Sequence, residues 1–135
     1  MPAIYQRTFR VRSYETDAYG HVNIPLFYDP PPVRTRLVGV ATSNEKSAAK
    51  AKALLGFEVA TTDQLSLIDR RDVDIIHVCT PNDLHCEALL AAIRAGKHIY
   101  CDKPLTATAE QAEQVTAALK GYKATGQMTL NYRFL

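Results

Sequence analysis

From residue 33 onward, short apolar runs alternate with segments of good helix formers. Residues 33–42 (VRTRLVGVAT) read as a β-strand with Leu37, Val38 and Val40 at its apolar centre. Asn44 is placed to cap a helix over 45–55, which carries Ala48, Ala49, Ala51, Ala53, Leu54 and Leu55 and is stopped by Gly56. Residues 57–60 form a short strand, and Asp63 caps a brief helix over 64–68 that runs into the charged corner Asp69-Arg70-Arg71-Asp72. Residues 73–80 (VDIIHVCT) are nearly all apolar, the pattern of a parallel strand buried on both faces. Pro81 and Asn82 break it, and a helix follows over 83–95 up to Gly96. Residues 97–101 (KHIYC) are another strand. Thr106 or Thr108 caps a long helix reaching Tyr122, with Ala109, Ala112, Val115, Ala118 and Leu119 on one face. Gly126 closes that segment, and residues 128–134 (MTLNYRF) make a last strand.

Strands alternating with helices of this length predict βαβ units, and right-handed crossovers make of them an α/β fold with a doubly wound parallel sheet. The chain before residue 33 has another character. Residues 4–14 alternate apolar and polar positions as a half-exposed strand does, and Asp29-Pro30-Pro31-Pro32 is a stiff joint. The expected organisation is therefore an N-terminal strand and loop over 1–32 and an α/β domain over 33–135.

Composition narrows the class more than the job. A chain of 135 residues suits one domain with a real core. A net charge of +2 carries no signal for nucleic acid or another polyanion. The longest apolar run, residues 88–93, falls far short of the roughly 20 residues of a membrane span. The first residues lack the apolar stretch of a secretory signal. Cys79, Cys86 and Cys101 are odd in number and have no metal-type spacing, so they read as reduced thiols of a cytoplasmic protein. His21, His85 and His98 have no partners at metal spacing, and no metal site is expected. His77 lies inside an apolar strand and reads as a core histidine, and Cys79 and Cys101 read as buried packing residues.

Three motifs stand at the ends of strands, in order: Val78-Cys79-Thr80-Pro81-Asn82-Asp83-Leu84-His85, then Ala95-Gly96-Lys97-His98 with Cys101-Asp102-Lys103-Pro104-Leu105, then Asn131-Tyr132-Arg133-Phe134. With them, residues 21–135 resemble the nucleotide-binding domain of the glucose–fructose oxidoreductase / inositol dehydrogenase family, with Asp102 in place of the Glu of its Glu-Lys-Pro signature. The resemblance implies a Rossmann-like domain of a sugar or polyol dehydrogenase that binds NAD or NADP outside the carboxyl ends of its strands. It implies that Thr80, Pro81 and Asn82 line the nicotinamide ribose side and that Asp102, Thr42 and Ser43 also face the cofactor. His85 would hydrogen-bond the cofactor or only the helix end. Lys103 would be the catalytic residue, its ammonium polarising or deprotonating a sugar hydroxyl, aimed by a fixed turn at Pro104. The substrate is then a small sugar-like molecule, and the domain that holds it in the family lies beyond this sequence, so little or no activity is expected from the chain alone.

Two departures bear on the cofactor. No G-x-G-x-x-G occurs; in family order the phosphate loop is Glu15-Thr16-Asp17-Ala18-Tyr19-Gly20, whose carboxylates would oppose a pyrophosphate and weaken binding. The second strand ends in Thr42-Ser43-Asn44 without the acidic residue that receives the NAD ribose, and Lys46 tilts the expectation towards NADP.

A second resemblance covers residues 5–23. Tyr5-Gln6-Arg7-Thr8-Phe9-Arg10-Val11-Arg12 and Glu15-Thr16-Asp17-Ala18-Tyr19-Gly20-His21-Val22-Asn23 look like the start of a hotdog-fold acyl-CoA thioesterase of the 4-hydroxybenzoyl-CoA type, in which Asp17 would match the catalytic carboxylate. The chain thus reads as a chimera. The rival functions are a thioesterase using Asp17, and a non-catalytic fragment that forms homo-oligomers through exposed sheet edges. A parallel sheet favours the oxidoreductase; an antiparallel sheet around a long central helix favours the thioesterase.

Overall fold

The computed structural model of the chain describes residues 36–129. The expected strand over 4–14, the turn carrying Asp17, the proline joint at 29–32 and the end of the last strand lie outside the described residues. The chain divides between Arg36 and Leu37 into two units, and the described residues, Arg36 apart, belong to the second.

The first βαβ unit runs from β1 (Gly39–Ala41) through α1 (Glu45–Leu55) to β2 (Val59–Thr61). Asn44 caps α1 as its sequence predicts, its side-chain oxygen accepting from the Ser47 amide at 2.9 Å. Gly56 ends the helix at φ 79°, a left-handed geometry that costs a glycine least. β1 and β2 pair in parallel with Gly39 opposite Val59 and Ala41 opposite Thr61. Asp63 then caps the short α2 (Gln64–Ile68), accepting from the amides of Leu65 and Ser66.

The remaining elements are β3 (Ile75–Val78), a 3-10 turn (Asn82–Leu84), α3 (His85–Arg94), β4 (His98–Cys101), α4 (Ala109–Ala118) and β5 (Gly126–Met128). β3, β4 and β5 form a parallel sheet in that order. Every described strand pair is parallel, so the described residues take the α/β, Rossmann-like arrangement and not the antiparallel wrap of the thioesterase reading.

Several bounds differ from the sequence reading. The single helix expected over 83–95 begins as a 3-10 turn, in which the Leu84 amide bonds back three residues to the Pro81 carbonyl at 2.9 Å and the His85 amide to the Asn82 carbonyl. Thr108 rather than Thr106 caps α4, and that helix ends at Ala118 because the chain turns through Gly121 at φ 82°. The last strand starts at Gly126, not Met128. Ladder bonds to β4 fix its register, pairing Ile99 with Gly126 and Cys101 with Met128, and Gly126 adds no side chain that must be packed.

The core lies between this sheet and its helices. α3 buries Cys86, Ala88, Leu89, Ala91, Ala92 and Ile93, which pack with Ile68, Val78, Ile99, Cys101 and Val115. Burying a side chain such as Leu89 contributes about 2 kcal/mol. At the amino end of β4, Lys97 Nζ donates to the carbonyls of Arg70 at 2.6 Å and Val73 at 2.7 Å, which anchors the charged corner to the sheet.

Candidate functional site

Parallel pairing brings the carboxyl ends of β3, β4 and β5 to one edge. Val78 stands opposite Cys101, and Cys101 opposite Met128. The ladder runs one residue further on each side: the Asp102 amide donates to the Val78 carbonyl at 2.8 Å, and the Thr129 amide donates to the Cys101 carbonyl at 2.9 Å. Beyond these bonds the chain leaves β3 through Thr80-Pro81-Asn82 and leaves β4 through Asp102-Lys103-Pro104. The Lys103–Pro104 peptide bond is cis. Pro81, Asn82 and Lys103 are exposed at this edge.

The side chains divide into anchored and open ones. Asp102 is anchored: its Oδ1 accepts from the Thr129 hydroxyl at 2.6 Å, and that hydroxyl also contacts the Cys101 carbonyl at 3.1 Å. Sequence reading passed over Thr129, since a threonine in an expected strand carries no signal until its register against Cys101 is known. His85 is also anchored. It is 1 % exposed, with Nε2 2.7 Å from the Thr80 carbonyl oxygen and Nδ1 2.9 Å from that of Pro104. Thr80 Oγ1, by contrast, is buried and has no hydrogen-bond partner among the described residues. A buried hydroxyl without a partner costs roughly 1–3 kcal/mol unless a ligand satisfies it.

The electrostatics of this edge centre on Asp102. Burial, reinforced by the Asp102 carboxylate and by Cys79, pushes the Cys101 thiol up to about 12, so it stays protonated and unreactive at neutral pH. Burial lowers His77 below the usual histidine range against an opposing pull from Asp102. The His77 ring packs edge-on against Tyr100, its cross-strand neighbour, with centroids 5.1 Å apart. Cys79 was expected among the buried residues and is exposed, whereas Cys86 and Cys101 are buried; all three are free. Cys79 lies past the end of β3, after the buried Val78.

Thr42 and Ser43 stand elsewhere, at the carboxyl end of β1. The Thr42 hydroxyl donates to the Asn44 carbonyl at 3.0 Å and shares a 2.7 Å hydrogen bond with Ser47 Oγ, while Ser43 Oγ accepts from Asn44 Nδ2 at 3.3 Å. They shape the first turn of α1. Thr80, Asp102, Lys103 and His85 are thus brought to one edge by the three-stranded sheet, and Thr42 and Ser43 sit at the matching end of the two-stranded one. Among the described residues no cluster of His, Cys, Asp and Glu could hold a metal ion.

Comparison with known proteins agrees with this geometry. Residues 18–130 match the family model of GFO/IDH/MocA oxidoreductases, described as an oxidoreductase family with an NAD-binding Rossmann fold. The chain is 38% identical over 114 residues to levoglucosan dehydrogenase of Pseudarthrobacter phenanthrenivorans, covering 84% of this chain and 29% of that protein. It is 33% identical over 99 residues to inositol 2-dehydrogenase of Rhizobium meliloti, covering 73% of this chain and 29% of the relative. A solved structure of levoglucosan dehydrogenase in complex with NADH and levoglucosan superposes with a TM-score of 0.72 at 38% identity, over 81% of this chain and 30% of that one. The chain thus spans under a third of the length of the relatives it matches, and its sequence likeness is to sugar and polyol dehydrogenases. The parallel strands, the motif residues gathered at their carboxyl ends and these matches together show that the chain belongs to the GFO/IDH/MocA family of oxidoreductases, as its NAD-binding Rossmann-fold domain.

Proposed function

We propose that this domain holds a nicotinamide dinucleotide across the carboxyl ends of β1, β3 and β4, for a dehydrogenase acting on a small sugar-like or polyol substrate. The observation that carries the reading is the unsatisfied Thr80 hydroxyl, buried at the end of β3 beside the exposed Pro81 and Asn82. It fits a ligand bearing hydroxyls, as a ribose does. Hydride transfer is the chemistry that the nicotinamide group supplies when bound. The chain's own residues bind and orient. Thr80, Pro81 and Asn82 line the ribose side. Asp102, fixed by Thr129, sets the turn that presents Lys103. The exposed Lys103 ammonium is the catalytic group, polarising a substrate hydroxyl or holding its proton. Thr42 and Ser43 receive the far end of the dinucleotide.

Between the two nicotinamide dinucleotides we favour NADP. The turn after β1 presents Ser43 and, in the first turn of α1, Lys46 beside Glu45; no acid stands among Thr42, Ser43 and Asn44 to receive a free ribose 2′-hydroxyl. The relatives' substrates suggest a cyclic polyhydroxylated molecule, and the free cysteines suit a cytoplasmic setting. Fluorescence titration of the chain with NADPH and NADH tests the reading. The expected result is saturable but weak binding, tighter for NADPH, because the sequence has no G-x-G-x-x-G to cradle a pyrophosphate. Absence of saturable binding to either nucleotide overturns the assignment. Binding tighter than about 1 µM overturns the expectation that the missing glycine-rich loop weakens binding.

The hotdog-like origin of residues 5–23 stands as a proposal of its own. The family match begins at residue 18, inside that stretch. Release of thiol from an acyl-CoA that disappears in Asp17→Ala would support it, and no release would remove it.

A further inference from the structure

His85 touches both turns of the site without being exposed to a ligand. Its ring meets the carbonyl of Thr80, in the turn leaving β3, and the carbonyl of Pro104, in the turn leaving β4. Cys101 Sγ, 3.7 Å from Nδ1, closes the ring in from the sheet side. Among the described residues, the bond from the Asp102 amide to the Val78 carbonyl is the last backbone hydrogen bond joining the two strands before these turns. Past it the turns diverge, and each contains a proline that cannot donate. What joins them is the imidazole. A flat ring with a nitrogen on each side can span two carbonyls that one amide or hydroxyl cannot reach together. Both partners only accept, so each ring N–H donates to the carbonyl on its own side.

We propose that His85 is a positioning residue. Its ring ties the Thr80-Pro81-Asn82 turn to the Lys103-Pro104 turn and so sets the spacing between the Thr80 hydroxyl and the Lys103 amine. The role belongs to the ring's position between the two turns, not to contact with a nucleotide. It rests on the proposed function only for its consequence, that a slack clamp weakens nucleotide binding.

Amide hydrogen exchange of the 135-residue chain without nucleotide reads the clamp directly. The reporters are the Leu84 amide, bonded to Pro81, and the Asp102 amide, bonded to Val78; the controls are Ala95, bonded to Ala91, and Ile99, bonded to Thr125. In His85→Leu the two reporters lose protection together, by tenfold or more, while the controls keep theirs. In His85→Gln, which retains a donor for one carbonyl, one reporter recovers and the other does not. Unchanged reporters, or equal loss at reporters and controls, overturns the proposal, the second result marking a mere packing role. Should His85→Leu fail to fold, the unmutated chain decides. A His85 ring N–H exchanging with water far more slowly than that of the exposed His98 supports the clamp, and exchange as fast as His98 overturns it. NADPH titration of His85→Gln then reads the consequence, expected as weaker binding. If the unmutated chain binds no nucleotide, the functional reading fails while the exchange result on the clamp stands.

Discussion

The two sheets of this domain are held in different ways. Around β3, β4 and β5 the core is continuous, with α3 buried along most of its length and Val78, Ile99 and Cys101 closed over. Around β1 and β2 every strand residue is only half-buried, and the buried apolar residues are Val38, Ala48 and Phe57. There, local devices dominate: the Asn44 cap, the Thr42–Ser47 hydroxyl pair and the left-handed Gly56. The proposed site follows this division. The end with Thr80, Asp102 and Lys103 inherits its geometry from long-range packing, whereas the end with Thr42 and Ser43 inherits it from one helix turn. Substitutions in the core should therefore disturb the first end, and substitutions at the cap the second.

The sharpest test of that contrast is Leu89→Ala. Leu89 is 2 % exposed at the centre of α3, and its loss should cost about 2–5 kcal/mol in urea unfolding. Val59→Ala, in the half-buried β2, should cost less than half as much. Equal losses would mean that the two sheets share one core and that the contrast is false. Next in size is Asn44→Ala, which removes the cap of α1 and should cost about 1 kcal/mol. Its effect on NADPH affinity should exceed that of capping loss at α4 in Thr108→Ala, because Thr42 and Ser43 lean on the Asn44 turn. The smallest effect is a slope with pH. Burial lowers His77 in the folded chain, so the unfolded chain takes up the proton first. Its contribution is complete above the ordinary histidine value of about 6.5 and is lost as pH falls from there through the lowered native value. Thermal unfolding between pH 7.5 and 5 should show a decline that His77→Gln flattens. An unchanged slope would remove His77 as its source.

Most elements were legible because their signals are local. Asn44, Asp63 and Thr108 mark helix starts by bonding amides two or three residues away, and Gly56 marks a stop by adopting a geometry that other residues avoid. The apolar run at 73–80 announced a strand but not its cover: the strand spans Ile75–Val78, with Ile75 exposed and Val78 buried. The errors fell where a distant partner decides. Gly126 looked like a terminator and became the first residue of β5, because its pairing with Ile99 is set by β4. Cys79 looked like the last buried residue of a strand and is exposed.

The sequence by itself determined the order of the elements, most of their caps and the placing of Thr80-Pro81-Asn82 and Asp102-Lys103-Pro104 just beyond strand ends, since each depends on neighbours within a few residues. Only the tertiary structure decided which strands are adjacent and in what register, and so which motif residues meet. It set Thr129 on Asp102 across 27 positions, and His85 between carbonyls that belong to two different strand exits. No periodicity records such meetings, because they depend on where parallel strands are aligned and not on what lies next to each residue along the chain.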